Sequence, residues 1–240
     1  MDIFGRALRD NQSGDGKHRL TLRRDDGHAD THLPGTWFPP HLWPAEKLLA
    51  PLVQGRILDI GCGAGRHLTG FRDQGEDITG IDISDGAVDV CRARGHAMVY
   101  ERDIMADTIP GAPYDTILLF GNNIGIAGDL AGAAHLLGRL KDATTPGGQL
   151  LIASRDVHIT RDKQHLTYSR RNLDDDRQAG QMRMRMEYRD MIGGWFDWLH
   201  PTPDELRQIA DQSGWQVDRL ETARKGAYGA RLIPVVAPAG

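Results

Sequence analysis

Apolar residues in the middle of the chain come in short continuous runs separated by helical patterns. Such runs are typical of parallel strands, because these strands are buried on both faces. They predict strands over 57–60, 77–83, 97–100, 114–120 and 149–154. Helices are predicted between or after them, over 66–74, 84–94 and 130–141. The alternation implies right-handed crossovers and a parallel sheet covered on both faces.

The first forty residues are polar and lack this rhythm, so we expect an irregular arm with a small hairpin. Residues 18–24 alternate, with Leu20 and Leu22 on one side, and Asp26 and Gly27 follow as a hairpin turn. A short helix is predicted to begin at Pro44, since proline suits the first helical turn.

The pattern of apolar and polar residues changes again after residue 154. Residues 156–181 are polar and mixed in charge, whereas 182–191 alternate, with methionines and a tyrosine on one face. This alternation predicts a half-buried antiparallel strand. A capping box at Thr202 predicts the last helix. Two closing strands, paired antiparallel, are predicted over 215–222 and 228–236.

These changes divide the chain into an N-terminal arm (1–43), a core (44–155), an insert (156–200) and a closing unit (201–240). We expect an α/β fold with a doubly wound, mostly parallel sheet and helices on both faces. The arm and a β-rich insert before the last core helix are additions to it. The insert is expected either to cover a substrate site or to form an interface, which leaves a homodimer open.

Composition narrows the class of protein. No apolar run approaches the roughly 20 residues that span a bilayer, and the first residues lack the apolar segment of a secretory signal. We therefore expect a cytoplasmic protein without a membrane partner. The net charge of −4 argues against a nucleic-acid partner. Cys62 and Cys91 are too few for a cysteine-based zinc site, and we expect no metal.

The most informative stretch runs from Ile57 to His67, with the sequence Ile-Leu-Asp-Ile-Gly-Cys-Gly-Ala-Gly-Arg-His. A strand runs into glycines and a helix follows, and such glycines let a ligand approach the main chain. Arg66 stands where the dinucleotide fingerprint needs its last glycine, which argues against a nicotinamide oxidoreductase. The remaining pattern is Asp59 followed by alternating glycines. A purely structural turn is the alternative interpretation.

Two further carboxylates follow the next strands. Asp82 ends the second strand and Asp103 follows the third, so a parallel sheet places both at the edge where ligands bind. Asp82 could accept hydrogen bonds from both ribose hydroxyls of a nucleoside, and Asp103 one from an adenine amino group, with Ile104 covering the ring. Taken alone, Asp82 can also be explained as an aspartate at the start of a helix. Asp103 can also be explained as an ordinary loop carboxylate. Their order after the glycines favours the nucleoside site.

With these motifs, residues 56–154 resemble the class I, Rossmann-like S-adenosylmethionine-dependent methyltransferases. The resemblance implies S-adenosyl-L-methionine as cofactor and a seven-stranded sheet with one antiparallel strand. In this family the fourth motif lies beside the transferred methyl group, and residues 120–125 stand at its place in this chain. The resemblance favours Asn122 as the residue of this stretch that contacts the cofactor. The arm around Trp37 and Phe38 is expected to close over the cofactor. The cofactor-binding residues implied are Asp59, Gly61, Gly63, Gly65, Asp82, Ile83, Asp103, Ile104 and Asn122.

The activity implied is in-line transfer of a methyl group to a nucleophilic oxygen or nitrogen, or to a carbon, of a small-molecule acceptor. An RNA or protein methyltransferase and a non-catalytic cofactor-binding module are the alternatives, and the near-neutral insert counts against RNA. Positioning alone can supply much of the acceleration, so the sequence identifies no secure catalytic residue. The candidates are His67, for which packing is the stronger interpretation, and His158, His165 and His200 in or beside the insert.

Overall fold

The structure is a computed structural model that describes residues 1–75 and 77–235. Residues 236–240, where the predicted closing strand and the 201–240 unit end, lie outside the described residues. The helices are α1 (Ile3–Gln12), α2 (Pro44–Leu49), α3 (Arg66–Arg72), α4 (Asp85–Ala93), α5 (Leu130–Asp142), α6 (Lys163–Asp174) and α7 (Pro203–Gln212). The strands are β1 (Leu20–Arg24), β2 (Ala29–His32), β3 (Arg56–Ile60), β4 (Asp77–Asp82), β5 (Val99–Glu101), β6 (Tyr114–Leu119), β7 (Thr144–Arg155), β8 (Gln181–Tyr188), β9 (Met191–Ile192), β10 (Phe196–Leu199), β11 (Trp215–Thr222) and β12 (Ala227–Pro234).

The larger sheet, which we call the core sheet, has seven strands in the order β5-β4-β3-β6-β7-β12-β11. The strands β3 to β7 run parallel, and β12 is antiparallel to both of its neighbours. The strand order reverses between β3 and β6, and ligands of such sheets bind at the carboxyl ends of the strands beside the reversal. The predicted fold class is confirmed, including the single antiparallel strand of this sheet.

Burial on both faces explains why the core strands read as continuous apolar runs. Leu58 of β3 packs in one cluster with Leu136 of α5, whereas its neighbour Ile57 packs on the opposite face with Leu49 of α2. All four side chains are almost fully buried. Each such burial contributes about 1.5–3 kcal/mol, so successive residues of a strand hold a helix on each side of the sheet.

Local signals determine where several elements begin. Ser84 caps α4 through its side chain, and Thr202 caps α7 within the predicted capping box. The start of β7 differs from the predicted strand over 149–154, because Pro146, Gly147 and Gly148 lie inside the strand. That strand begins earlier, where Thr144 pairs with Tyr114, and its register shifts before the regular pairing resumes. The proline and glycines therefore form an irregularity within a strand and do not precede it.

A second, smaller antiparallel sheet joins two segments that are far apart in the sequence. Its strand order is β10-β8-β1-β2, with β9 paired to β8. The predicted hairpin supplies β1 and β2, and the predicted methionine strand is β8. Residue Leu20 pairs with Tyr188, and Leu22 with Met186. The arm and the insert, which the sequence analysis treated as separate units, thus form one structure, which we call the small sheet.

Two helices were missed in the polar segments. The arm is not irregular at its start, because Asp2 caps α1 by accepting a hydrogen bond from the Gly5 amide, and Ile3 and Leu8 are buried. In the insert, Asp162 caps α6, which buries Tyr168. Helix α6 carries few apolar residues, so its periodic signal is weak, whereas the apolar residues of α1 do lie on one face and gave a usable signal. Within the described residues, none of the helices is long and apolar enough to cross a membrane.

Candidate functional site

The glycine loop between β3 and α3 has a left-handed backbone at all three predicted glycines. The φ angles of Gly61, Gly63 and Gly65 are +70°, +55° and +78°, which L side chains rarely adopt. A Cβ at Gly61 would also lie 2.5 Å from the side-chain nitrogen of Asn123. Glycine is therefore required here both by the backbone angle and by a close neighbour, and the bare main chain faces the carboxyl edge of the sheet.

Asp82, at the end of β4, is hydrogen-bonded to this loop. One carboxylate oxygen accepts from the Gly63 amide at 2.8 Å and the other from the Ser84 amide at 2.9 Å. Burial raises the pKa of Asp82 to about 6, although the two amide hydrogen bonds oppose the shift. Each carboxylate oxygen has more than one acceptor position. The side chain can therefore hold the loop in place and still accept hydrogen bonds from a ligand.

Beside this carboxylate runs a groove lined by predicted site residues. Its walls include Gly61, Asp82, Ile83, Asp103 and Ile104. Ile83 is 69% exposed, so an apolar side chain stands uncovered next to a carboxylate. One oxygen of Asp103 accepts from a backbone amide in its own turn at 2.8 Å, which leaves the other for a ligand. Apart from Arg102, the groove has apolar walls and two carboxylates, which fit the ring, amino group and ribose hydroxyls of an adenosine.

The fourth-motif segment follows β6. Asn122 has a φ of +64° and donates its amide hydrogen to the Ala153 carbonyl at 3.1 Å, which ties the segment to β7. Asn123 donates from its side chain to the carbonyls of Ile60 and Gly61, at 2.7 and 3.0 Å. The resemblance favoured Asn122, but it is the neighbouring Asn123 that links this segment to the glycine loop. A cofactor contact by Asn122 stays a prediction.

Behind the glycine loop lies a buried network of charges. Nδ1 of His67 donates to the Asp59 carboxylate at 3.0 Å, and Arg66 donates two hydrogen bonds to Glu46 at 2.7 and 2.8 Å. All four side chains are nearly inaccessible to solvent. Burial alone would lower the pKa of His67, but the Asp59 carboxylate outweighs it and raises the pKa to about 9. Two positive and two negative charges therefore balance.

Glu46 connects this network to the N-terminal segment and to the fourth motif. Its carboxylate also accepts from the amides of Trp43 at 2.7 Å and Gly121 at 3.1 Å. Burial alone would raise the pKa of Glu46, but Arg66 and His67 outweigh it and hold that pKa well below its usual range. The only signal in the sequence was a glutamate in the first turn of the predicted helix at Pro44. The network places Asp59 and His67 behind the loop and not in the groove.

The N-terminal helix covers the front of the glycine loop. The ring of Phe4 is 3.7 Å from the position that a Cβ would take at Gly63, and it packs edge-on against Trp37 at 5.4 Å. Asp2 also accepts from the Ser84 hydroxyl at 2.8 Å, so the same carboxylate holds α1 against the start of α4. The arm thus lies beside the predicted cofactor position. Closure of Trp37 and Phe38 over a bound cofactor stays a prediction.

The three histidines of the insert have different environments. His158 is exposed. His165 accepts a hydrogen bond at Nδ1 from Arg24 at 3.0 Å, and burial, with Arg24, lowers the pKa of His165. Burial lowers the pKa of His200 to about 4, and its buried Nδ1 has no hydrogen-bond partner among the described residues. Of these three, His200 combines a neutral ring with an unsatisfied nitrogen.

His200 is connected to the fourth-motif segment through the core sheet. The carbonyl of its neighbour Pro201 accepts from the Tyr228 hydroxyl at 2.7 Å. Tyr228 pairs with Ser154 on β7, and the residue before Ser154 accepts the Asn122 amide. His200 therefore lies on the same carboxyl edge of the sheet as the predicted methyl-transfer position.

Three features together define a class of α/β protein that binds a nucleoside-containing cofactor. They are the glycine loop, the groove with its carboxylates and the reversal of strand order. Residues 39–220 match the family model of the methyltransferase domain, and the chain belongs to that family. The cofactor of this class is S-adenosyl-L-methionine, and the carboxylate acceptors of the groove, which fit adenosine, agree with it.

Solved and curated proteins agree with this assignment. A S-adenosylmethionine-dependent methyltransferase from Bacteroides fragilis, solved in complex with S-adenosyl-L-homocysteine, is similar with a TM-score of 0.85 and 26% identity, over 98% of this chain and 95% of that one. The ubiquinone biosynthesis O-methyltransferase of Alkalilimnicola ehrlichii is 30% identical over 114 residues, which are 45% of this chain and 44% of that protein. The malonyl-[acyl-carrier protein] O-methyltransferase of Serratia marcescens is 33% identical over 100 residues, 41% of this chain and 38% of that protein. The chain thus spans less than half the length of these curated relatives.

Proposed function

We propose that the protein transfers a methyl group from S-adenosyl-L-methionine to a nucleophilic oxygen, nitrogen or carbon of a small-molecule acceptor. The observation that carries the proposal is the groove at the carboxyl edge of the core sheet, in which Asp82 is held by the glycine loop beside an exposed Ile83. The names of the two curated relatives support an oxygen nucleophile. A cytoplasmic location belongs to the same proposal.

The cofactor would lie along this edge with its adenosine in the groove. Asp82 accepts hydrogen bonds from the ribose hydroxyls, and Asp103 accepts one from the adenine amino group. Ile83 and Ile104 cover the ring. The bare main chain of Gly61, Gly63 and Gly65 lies against the amino-acid end, and Asn122 contacts the cofactor near the methyl group. Asp59 supports the loop from behind through His67.

When bound, S-adenosyl-L-methionine supplies a methyl group that passes in line to the acceptor's lone pair as the sulfur–carbon bond breaks, leaving S-adenosyl-L-homocysteine. An acceptor hydroxyl must also lose its proton. His200 is the histidine that the structure favours for accepting it, because its ring is neutral near pH 7 and its Nδ1 is unsatisfied among the described residues. A positioned base adds roughly 10²–10⁴-fold.

Calorimetric titration with S-adenosyl-L-homocysteine tests the proposal. The wild-type protein should bind it, and Asp82→Ala should lose about 100-fold in affinity, because two hydrogen bonds to a charged group are removed. Asp89→Asn is the matched control, since this exposed carboxylate on α4 lies outside the groove, and its affinity should equal that of the wild type. No binding of the cofactor product by the wild-type protein would refute the function.

A further inference from the structure

The small sheet is held over the carboxyl edge of the core sheet at two ends. At one end, Met186 packs in the same cluster as Phe4, whose ring lies against Gly63. At the other end, Trp198 lies so close to Gly125 that a Cβ there would be 2.0 Å from the indole nitrogen. The small sheet therefore bridges the gap between the glycine loop and the fourth-motif segment.

Between these two ends, the same face of the small sheet carries an apolar patch. Met182 pairs directly with Trp198, Met184 with Phe196, and Leu22 with the packed Met186, so all lie on one face. We call Leu22, Met182, Met184 and Phe196 the inner patch. All four are only half-buried, and within residues 1–75 and 77–235 none of them belongs to a hydrophobic core cluster.

The position of Met184 follows from this register. Met184 lies two residues from Met186, which packs toward the glycine loop, and two residues from Met182, which is opposite Trp198. Residues two apart in a strand point to the same face. The middle of the inner patch therefore lies across the gap between Gly63 and Gly125. A methyl donor bound on the glycine loop would have its reacting end in this gap.

The polar groups that border the inner patch add little net charge. Arg24 is 3% exposed and forms a two-fold ion pair with Asp26, at 2.7 and 2.8 Å. Partial burial and, secondly, nearby positive charges lower the pKa values of His165 and His200. Arg155, whose charge acts on His200, is exposed to solvent, where ions screen it. Arg24, which pairs with Met184 on this face, is thus neutralised by Asp26, and the inner patch itself is apolar with neutral imidazoles near it.

We propose that the inner patch is the acceptor site and that it takes a flat, uncharged aromatic ring bearing the nucleophilic hydroxyl or amino group. This inference rests on the proposed function and specifies its substrate class. Methionine side chains are polarisable and adapt to the shape of a ring, and their sulfur makes favourable contacts with aromatic edges. A carboxylate placed against the same walls would lose its hydration, and Arg24, which stands opposite Met184 on this face, is already paired with Asp26. The site therefore selects against charged acceptors.

The test measures binding to protein saturated with S-adenosyl-L-homocysteine. The probes are naphthol and its carboxylated counterpart hydroxynaphthoate, titrated by calorimetry. Naphthol should bind, and hydroxynaphthoate should bind about tenfold more weakly or not at all, because its carboxylate loses water while the cation on this face, Arg24, is already paired with Asp26. Met184→Glu should weaken naphthol binding by about tenfold, because the bound ring would remove water from the introduced carboxylate, whereas Met184→Leu should retain it.

Ile192→Glu provides the matched control. Ile192 pairs with Glu187, so it lies on the opposite face of the small sheet, and it is 60% exposed. Its substitution adds the same charge and should leave naphthol binding unchanged. Should Met184→Glu fail to fold, Phe196→Ala takes its place, with a loss of naphthol affinity expected because the facing ring is removed from the patch.

Binding of S-adenosyl-L-homocysteine is measured first for every variant and separates the two possible failures. If the wild-type protein does not bind it, the proposed function falls and the acceptor site falls with it. If it binds, but naphthol binds no better than hydroxynaphthoate, the inference is overturned while the proposed function stands. Equal effects of Met184→Glu and Ile192→Glu on naphthol binding would also overturn it.

Discussion

The carboxyl edge of the core sheet and the inner face of the small sheet border the same gap, but their chemistry differs. The core side carries the carboxylates of Asp82 and Asp103 in the groove, and two backbone amides hold Asp82 in place. Behind the glycine loop, buried ion pairs such as Glu46 with Arg66 support it. The small-sheet side carries the half-buried inner patch around Met184. The difference suggests a division of labour, in which directed polar groups bind one invariant cofactor and adaptable apolar groups select an acceptor by shape and charge.

The largest expected effect on stability comes from a substitution on the core side. Glu46→Ala leaves Arg66 and the Gly121 amide buried without their partner, and loss of one member of a buried ion pair costs about 3–5 kcal/mol. Urea unfolding should show this loss in the free energy of unfolding. Met184→Leu, on the apolar side, keeps volume and should cost less than about 1.5 kcal/mol. Similar losses in the two variants would remove the distinction between the two sides.

The charge balance on the core side also predicts a pH dependence of stability. The folded-state pKa of His67 is about 9, above its ordinary value of 6.5, so the protonated ring stabilises the fold. That contribution, about 3 kcal/mol at most, is complete below pH 6.5 and is lost as the pH rises through 9. The free energy of unfolding should therefore fall over this window. In His67→Gln that fall should be absent, and an unchanged fall would assign it to another group.

A smaller effect is expected where the two sides meet. Gly125→Ala places a methyl group against the indole of Trp198, and such overpacking costs about 1–3 kcal/mol. It should also weaken naphthol binding, because the small sheet must shift. Gly138→Ala is the control, since a Cβ on this α5 glycine meets nothing within 4 Å and alanine should stabilise the helix by up to about 1 kcal/mol. Thermal unfolding of both variants compares them, and equal melting shifts would contradict the tight contact.

The core side could be predicted from the sequence because its signals are local. The glycines at 61, 63 and 65 directly follow a strand, and Asp82 ends the next one, so topology alone brings them together. The buried ion pair of Glu46 could not be predicted, because its partner Arg66 lies 20 residues away. The local pattern around Pro44 does not indicate such a pair.

The small sheet could be predicted only in pieces. Alternation identified the hairpin near Leu22 and the methionine strand, but not that they pair. Arg23 and Glu187, which are hydrogen-bonded across the two strands, are 164 residues apart. A period of two identifies a strand and its faces, yet it does not specify which distant strand lies beside it. The inner patch could therefore be identified only in the folded chain.

The division of labour is tested most directly by measuring two affinities in two variants. Calorimetry gives the affinity for S-adenosyl-L-homocysteine and, at saturation with it, the affinity for naphthol. Asp82→Asn should weaken the first by about tenfold and leave the second unchanged, whereas Met184→Glu should do the reverse. Asp82→Asn with full cofactor affinity, or Met184→Glu with both affinities equally reduced, would contradict the account.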